Sequence, residues 1–322
     1  MLTKENAADG SRSLFSHEQD SPTRRAFLRQ GSLVLGGLAA SSLPRGLWAA
    51  AQEEAKPALR MGVITDCHYA ERDRSGTRFY RESLTKLPEA IDKFNSLGLD
   101  MAVELGDFID EAPDAAGEIA HLKKVEEIYS RFKGDRHYVL GNHCAWTLSK
   151  EEFLDNCGME KAHYSFDKGE FHFVVMDACY RQDGVAYGKK NARYDNTMIP
   201  PEQLEWLRGD LAKTTKRTIV LAHQRLDFSQ SDGMNNWNVT VKNAPEVRKV
   251  LEESTRVLAV FQGHSHANDH REVGGIHYCV FRAMVEGSGE EQNGYSVANL
   301  FADGSIKIEG FRQQRAYEWK KT

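Results

Sequence analysis

The residues with chemistry to offer come in five short clusters: Asp66-Cys67-His68, Gly106-Asp107-Phe108-Ile109-Asp110, Gly141-Asn142-His143, His223, and Gly263-His264-Ser265-His266. Each follows a short apolar run, namely Ile64-Thr65, Glu104-Leu105, Val139-Leu140, Leu221-Ala222 and Phe261-Gln262. A single histidine after a strand is ordinary, and an Asp-x-His arises readily by chance. Two histidines one residue apart suit a metal better than they suit packing. Together the clusters supply seven oxygen or nitrogen donors: Asp66, His68, Asp107, Asn142, His223, His264 and His266. That is about what two divalent cations need when one carboxylate bridges them. The glycines at 106, 141 and 263 let the backbone turn tightly, so that the next side chain faces inward.

Five separate segments can meet only if the fold gathers them. The runs Arg60–Thr65, Met101–Leu105, His137–Leu140, Phe171–Met176, Thr218–Ala222 and Val257–Phe261 are almost continuously apolar, as strands covered on both faces must be. Helices are predicted between them over Arg81–Asn95, Ala116–Phe132, Pro201–Ala212 and Ala244–Glu253, with Leu84, Leu87, Ile91 and Phe94 forming a core stripe. In open α/β sheets, residues beyond the carboxyl ends of parallel strands converge on one crevice. The C-terminal quarter alternates instead, predicting strands Ile276–Arg282, Tyr295–Phe301 and Ser305–Phe311 with a tight turn at Asp303-Gly304. No internal repeat, low-complexity tract or linker interrupts residues 59–322, which read as one α/β domain behind a polar lead-in at 52–58.

The first 51 residues read as an address. Thr23-Arg24-Arg25-Ala26-Phe27-Leu28-Arg29 precedes a Gly/Ala/Ser-rich apolar run, Gly31–Leu43, and then Ala49-Ala50-Ala51. Basic region, modest apolar region and small-residue cleavage site follow the order of a signal peptide, and the paired arginines resemble the twin-arginine export signal of bacteria. Thirteen residues holding three glycines are too few to span a bilayer core of about 30 Å, so no transmembrane anchor is expected after cleavage. The expected location is periplasmic or extracellular, with the twin-arginine machinery as a partner. Of 322 residues, 40% are hydrophobic and 28% charged, and the formal net charge is −5. Removing residues 1–51 takes away six basic and four acidic residues and leaves −7. Such a balance excludes a disordered chain and gives no support for a stable nucleic-acid complex. Five cysteines without CxxC spacing make neither a disulfide framework nor a zinc finger, and read as mostly free thiols.

The motifs DxH, GDxxD, GNH, a lone AH and GHxH, in this order from Leu59 to about Arg312, resemble the calcineurin-like metallophosphoesterase superfamily. The resemblance implies a four-layer sandwich of two mixed β-sheets face to face with helices outside. It implies that Asp66, His68 and His266 bind one metal, that Asn142, His223 and His264 bind a second, and that Asp107 bridges them. His143 is implied as general acid, with Asp110 orienting its ring. A finer resemblance is to the manganese-dependent ADP-ribose/CDP-alcohol diphosphatase branch, carried by Tyr69 and Gly76-Thr77-Arg78-Phe79-Tyr80-Arg81-Glu82-Ser83. Two departures stand out. His68 occupies the place of that branch's Gln, and Cys144 follows Asn142-His143 where the superfamily has an acid; Cys144 is expected to be inert.

The implied chemistry is hydrolysis of a phosphodiester, a nucleoside-diphosphate-linked compound or a phosphomonoester. Two cations would lower the pKa of a bridging water and clamp the phosphoryl oxygens for in-line attack. The donor set suits Mn, Fe or Zn without choosing among them. A small phosphorylated substrate would be gripped by Arg225 and, as weaker candidates, Arg78, Tyr80, Arg81, Tyr180 and Arg181, with the irregular Asp232–Asn238 segment shaping the pocket. A zinc peptidase is disfavoured because HExxH is missing. A nuclease would need a local basic groove, and a non-catalytic metal-binding protein would not need His143 beside a full ligand set.

Overall fold

A computed structural model describes residues 55–228 and 238–320. The address at 1–51, residues 52–54 of the lead-in and residues 232–237 of the expected irregular loop lie outside the described residues. In chain order the elements are β1 (Leu59–Ile64), α1 (Ser83–Leu97), β2 (Met101–Glu104), α2 (Ala115–Tyr129), β3 (Asp135–Tyr138), α3 (Lys150–Cys157), β4 (Tyr164–Lys168), β5 (Phe171–Val175) and α4 (Pro201–Lys213). They continue with β6 (Arg217–Leu221), α5 (Ala244–Glu253), β7 (Val257–Gln262), β8 (Asp269–Val273), β9 (Ile276–Val280), β10 (Gly294–Leu300), β11 (Ile306–Arg312) and β12 (Tyr317–Trp319).

These strands form two six-stranded sheets, ordered β12-β11-β10-β1-β2-β3 and β4-β5-β6-β7-β9-β8. β1, β2 and β3 are mutually parallel, as are β5, β6, β7 and β9. Helical crossovers between parallel strands bring their carboxyl ends to one side of each sheet. The first sheet changes direction at its centre, where β10 runs against β1, and the second at an edge, where β8 runs against β9.

Why the strands read as continuous apolar runs is visible in β6. Ile219 and Leu221 pack between the sheets with Phe173 and Phe261, while Val220 turns to the helices with Leu207 and Val247. A strand alternates, but here both of its faces are interior. On the opposite side α1 and α2 cover the first sheet through Leu87, Ile91, Phe94, Leu122 and Val125, all fully buried. Helix, sheet, sheet, helix gives the four layers.

α3, β4, β8 and β12 were not legible in the sequence. Three of these are edge strands or short polar segments, and Tyr164–Lys168 and Asp269–Val273 carry too few apolar residues to announce themselves. The β8–β9 hairpin turns on Gly274 and Gly275, at φ 61° and 76°, which is the conformation a two-residue turn demands. α3 begins with a reciprocal cap: Ser149 accepts from the Glu152 amide, and Glu152 accepts from that of Ser149. No helix among the described residues is long and apolar enough to cross a membrane.

Candidate metal centre

The chain leaves β1 into Thr65-Asp66, β2 into Leu105-Gly106-Asp107, β6 into Ala222-His223 and β7 into Gly263-His264; the segment after β3 reaches Gly141-Asn142-His143. Asp66, His68, Asp107, His264 and His266 all take the left-handed backbone conformation, at φ 52°, 45°, 56°, 67° and 59°. Each such non-glycine residue costs about 1–2 kcal/mol, so the fold concentrates strain where side chains must be aimed inward. The glycines beside them serve two different purposes. Gly106 sits at φ 103°, and a Cβ there would lie 2.5 Å from His223 Nδ1. Gly141 is required by close approach, since a Cβ would come 2.2 Å from the Asp107 amide nitrogen and from its Oδ1.

The donors meet. Asp66 Oδ1 lies 3.3 Å from His266 Nε2 and 3.6 Å from His68 Nε2. Asp107 Oδ2 lies 3.4 Å from His68 Nε2 and 3.1 Å from His223 Nε2. Two groupings of donor atoms follow, Asp66-His68-His266 and Asp107-His223-His264, with Asp107 also reaching His68 and His143. Asp107 thus stands between the halves. Asn142, 1% exposed, lines the same cleft.

Surrounding groups fix which atoms face the centre. His68 Nδ1 is 2.9 Å from Asp110 Oδ2, His223 Nδ1 is 2.8 Å from the Leu105 carbonyl, and His266 Nδ1 is 2.7 Å from Glu286 Oε1. Each ring therefore presents Nε2, the arrangement that orients ligating histidines. Asp66 Oδ2 accepts from Thr65 Oγ1 at 2.6 Å and the His264 amide at 3.1 Å, while Asp107 Oδ1 accepts from the His143 amide at 2.7 Å. What remains is a set of buried atoms without a hydrogen-bond partner: Asp66 Oδ1, Asn142 Oδ1, His223 Nε2 and His264 Nε2. Orphaned polar atoms are expensive in an interior. Carboxylate, amide and imidazole donors converging this way fit divalent metal ions.

The electrostatics agree. Burial alone would raise Asp66, but His266 and His223 beside it hold its carboxyl well below the usual range. Asp107 is likewise pushed up by burial and pulled further down by His223, His143 and His68. Burial, with His223 nearby, takes His264 down to about 3. The carboxylates are ionised and His264 is neutral at physiological pH, as ligands must be.

His143 lies at the mouth, its side chain 22% exposed and its Nδ1 3.4 Å from Asp110 Oδ1. Burial lowers its affinity for a proton, yet Asp107 and Asp110 outweigh that and raise it overall. Cys144 is fully buried in the apolar cluster behind the site, and burial raises its thiol well above the ordinary value. All five cysteines are free.

The structure sorts the substrate-gripping candidates sharply. Arg78 lines the cleft, a space of about 670 Å³ shared with Thr77, His143, Tyr194, Val239 and Ser265. Arg225 does not. It is 2% exposed, and its guanidinium is held by Asp227 at 2.6 Å and Asp269 at 2.5 Å, so its charge is already neutralised inside the fold. Arg81 pairs outward with Asp73 and Glu71, Arg181 pairs with Asp183, and Tyr180 lies with its ring 3.3 Å from the Lys150 ammonium. Tyr80 is buried, under Arg72. Two residues of the cleft went unread in the sequence. Glu286 belongs to no motif, and Tyr194, 56% exposed, sits in the irregular stretch between β5 and α4.

A crevice at the strand ends of a four-layer α/β sandwich, lined by converging carboxylate and imidazole donors, defines a class of metal-dependent hydrolase sites. The profile of the calcineurin-like phosphoesterase family matches residues 59–268, and the chain belongs to that family. It is a metal-dependent phosphoric ester hydrolase. A manganese-dependent ADP-ribose/CDP-alcohol diphosphatase of Oryza sativa is 25% identical over 279 residues, covering 72% of this chain and 85% of the relative. A 3',5'-cyclic adenosine monophosphate phosphodiesterase of Haemophilus influenzae is 24% identical over 274 residues, covering 81% of this chain and 92% of the relative. Among solved structures, a dimetal phosphatase from Danio rerio superposes with a TM-score of 0.72 at 18% identity, covering 83% of this chain and all of the other.

Proposed function

We propose that this chain is an exported, two-metal hydrolase of nucleotide-sized phosphoric diesters or diphosphates, with manganese as the working ion. The observation that carries the reading is the set of orphaned buried donor atoms at the centre, with Asp107 between its halves. Asp66, His68 and His266 would hold one ion, Asn142, His223 and His264 the other, and Asp107 both. Ions held there would supply Lewis acidity, acidifying water and neutralising phosphoryl charge. The protein supplies the rest. Arg78, in the cleft wall, meets a phosphate oxygen, and His143 donates a proton to the departing oxygen while Asp110 keeps its ring aimed. A cleft of about 670 Å³ is the size of a nucleotide site, larger than inorganic phosphate needs.

The diphosphatase reading is supported by the relatives' names and by Arg78, which lies in the Gly76–Ser83 stretch shared with that branch. His68, standing where the branch has Gln, is the departure that a substrate panel must resolve. Elemental analysis under manganese-replete conditions is expected to find close to two transition metals per chain; none would overturn the reading. ADP-ribose, a CDP-alcohol, bis(p-nitrophenyl) phosphate and p-nitrophenyl phosphate then separate diphosphatase, diesterase and monoesterase. The expected order of kcat/KM places the two nucleotide diphosphates first. Export by the twin-arginine route is supported by Arg24-Arg25 and the apolar run after them. Replacing both arginines by lysine is expected to leave the protein in the cytoplasm.

A further inference from the structure

Lys86 sits in the first half of α1 and is fully buried. Its ammonium does not meet a carboxylate. It donates instead to three backbone carbonyls, those of Met284 at 2.9 Å, Glu286 at 3.2 Å and Gly287 at 2.6 Å. Burial takes it down to about 8, so it is still charged at neutral pH. A buried cation is costly unless hydrogen bonds satisfy it, and here those bonds come from the carbonyls of one segment.

That segment touches three parts of the site. The Met284 amide donates to the Thr65 carbonyl and the Val285 amide to that of Asp66, both at 3.1 Å, so the segment lies along the backbone of a ligand. Phe79 donates to Val285 at 2.9 Å and Gly287 to Thr77 at 2.8 Å, which secures the loop that carries Arg78. The Glu286 side chain aims His266 through Nδ1. At the outer end Glu82, at the head of the same helix, accepts from Ser288 Oγ at 2.8 Å and the Gly289 amide at 2.6 Å. Residues 284–289 form a bracket joining Asp66, Arg78 and His266, and α1 fastens it.

We propose that Lys86 is a positioning residue: its ammonium, by gathering the carbonyls of 284, 286 and 287, holds Glu286 against His266 and so sets the geometry of the Asp66-His68-His266 half of the centre. The proposal deepens the metallohydrolase reading and rests on it for its functional consequence. Lys86 itself touches neither the ligands nor the substrate.

The test uses the full chain, first metal-free. Lys86→Met keeps the length of the side chain and removes the charge and donors. Hydrogen exchange is expected to speed up at least about tenfold in residues 284–289, with the α2 and α4 amides unchanged. Manganese binding by calorimetry should then weaken by about 10–100-fold, the range for removing a group that orients a ligand. Glu286→Gln should produce a loss of similar size, and the double variant no more than the single ones. A Lys86→Met chain that melts earlier yet keeps exchange in 284–289 and manganese affinity would overturn the proposal, as would losses that multiply in the double variant. If Lys86→Met does not fold, Lys86→Gln, which keeps a donor, should show the same exchange pattern in weaker form, and unchanged exchange there is equally fatal. A wild-type chain that takes up no manganese would refute the metallohydrolase reading, and the exchange result would still decide whether Lys86 holds the bracket.

Discussion

Two groups of histidines among the described residues stand in contrast, those at the strand ends and those along the seams where the edge strands of the two sheets meet. At one seam His137 of β3 stacks on Phe166 of β4, centroids 3.8 Å apart and planes within 2°. At the other, His270 of β8 and His277 of β9 stack on Trp319 of β12 at 4.8 and 5.0 Å. These rings serve as flat aromatic bodies that seal the side of a sandwich. Burial lowers the affinity of His137, His270 and His277 for protons, and neutral rings stack without desolvating a charge. The strand-end rings are buried more deeply still, but carboxylates surround them, the Nδ1 atoms of His68, His223 and His266 are tied, and His68, His264 and His266 hold strained backbone. One side chain thus does two jobs. What separates them is the polarity of the neighbours, not the ring.

Breaking the strand-end group should have the largest consequence. Asp107→Asn removes the charge shared between both groupings of donors, so kcat/KM is expected to fall by about 10³-fold or more and manganese content to fall with it. Steady-state kinetics and elemental analysis on the same preparation check both. His143→Ala comes next, and it separates proton donation from metal holding. A drop in kcat of about 10²–10⁴-fold with manganese retained is expected of a general acid. Because His143 also lies near His68 and Asp107, loss of metal in this variant would make it a ligand instead. Arg78→Ala should raise KM by about tenfold or more with a smaller change in kcat, the effect of losing a charge-assisted contact to phosphate.

The contrast between the two groups of histidines also shows where sequence reading succeeds. Gly141-Asn142-His143 and Gly263-His264-Ser265-His266 were legible because the requirement is local: a residue without Cβ, then a ligand, directly after an apolar run. Parallel strands do the remaining work by collecting their own ends. Arg225 shows the opposite case. Two residues beyond His223 it looked free for a phosphate, and only the fold brings Asp227 and Asp269 against it. Glu286 and Lys86 depend on how the segment after β9 crosses α1, a contact between positions some two hundred residues apart. No spacing records that. His264 was legible through Gly263-His264-Ser265-His266, whereas nothing in the letters around His270 tells that Trp319 covers it.

The seam offers the smallest and most discriminating effect, one on stability alone. Burial lowers His137 to about 4, so the folded protein resists a proton that the unfolded chain accepts near pH 6.5. Between these values the unfolded state binds more protons, and stability falls as pH drops. His137 therefore contributes no penalty above about pH 6.5, and its penalty grows as pH falls through the window down to about 4. His137→Phe keeps a ring to stack on Phe166 and gives up the long Nδ1 contact with the Tyr164 hydroxyl at 3.3 Å. The melting temperatures of variant and wild type should run parallel above pH 7 and diverge towards pH 4.5, with the variant the more stable at the acid end. Activity measured at neutral pH should stay within about twofold, because the seam lies away from the strand ends. A melting difference that is flat across the window would mean that His137 is not held neutral, and the division between sealing and ligating histidines would lose its electrostatic basis.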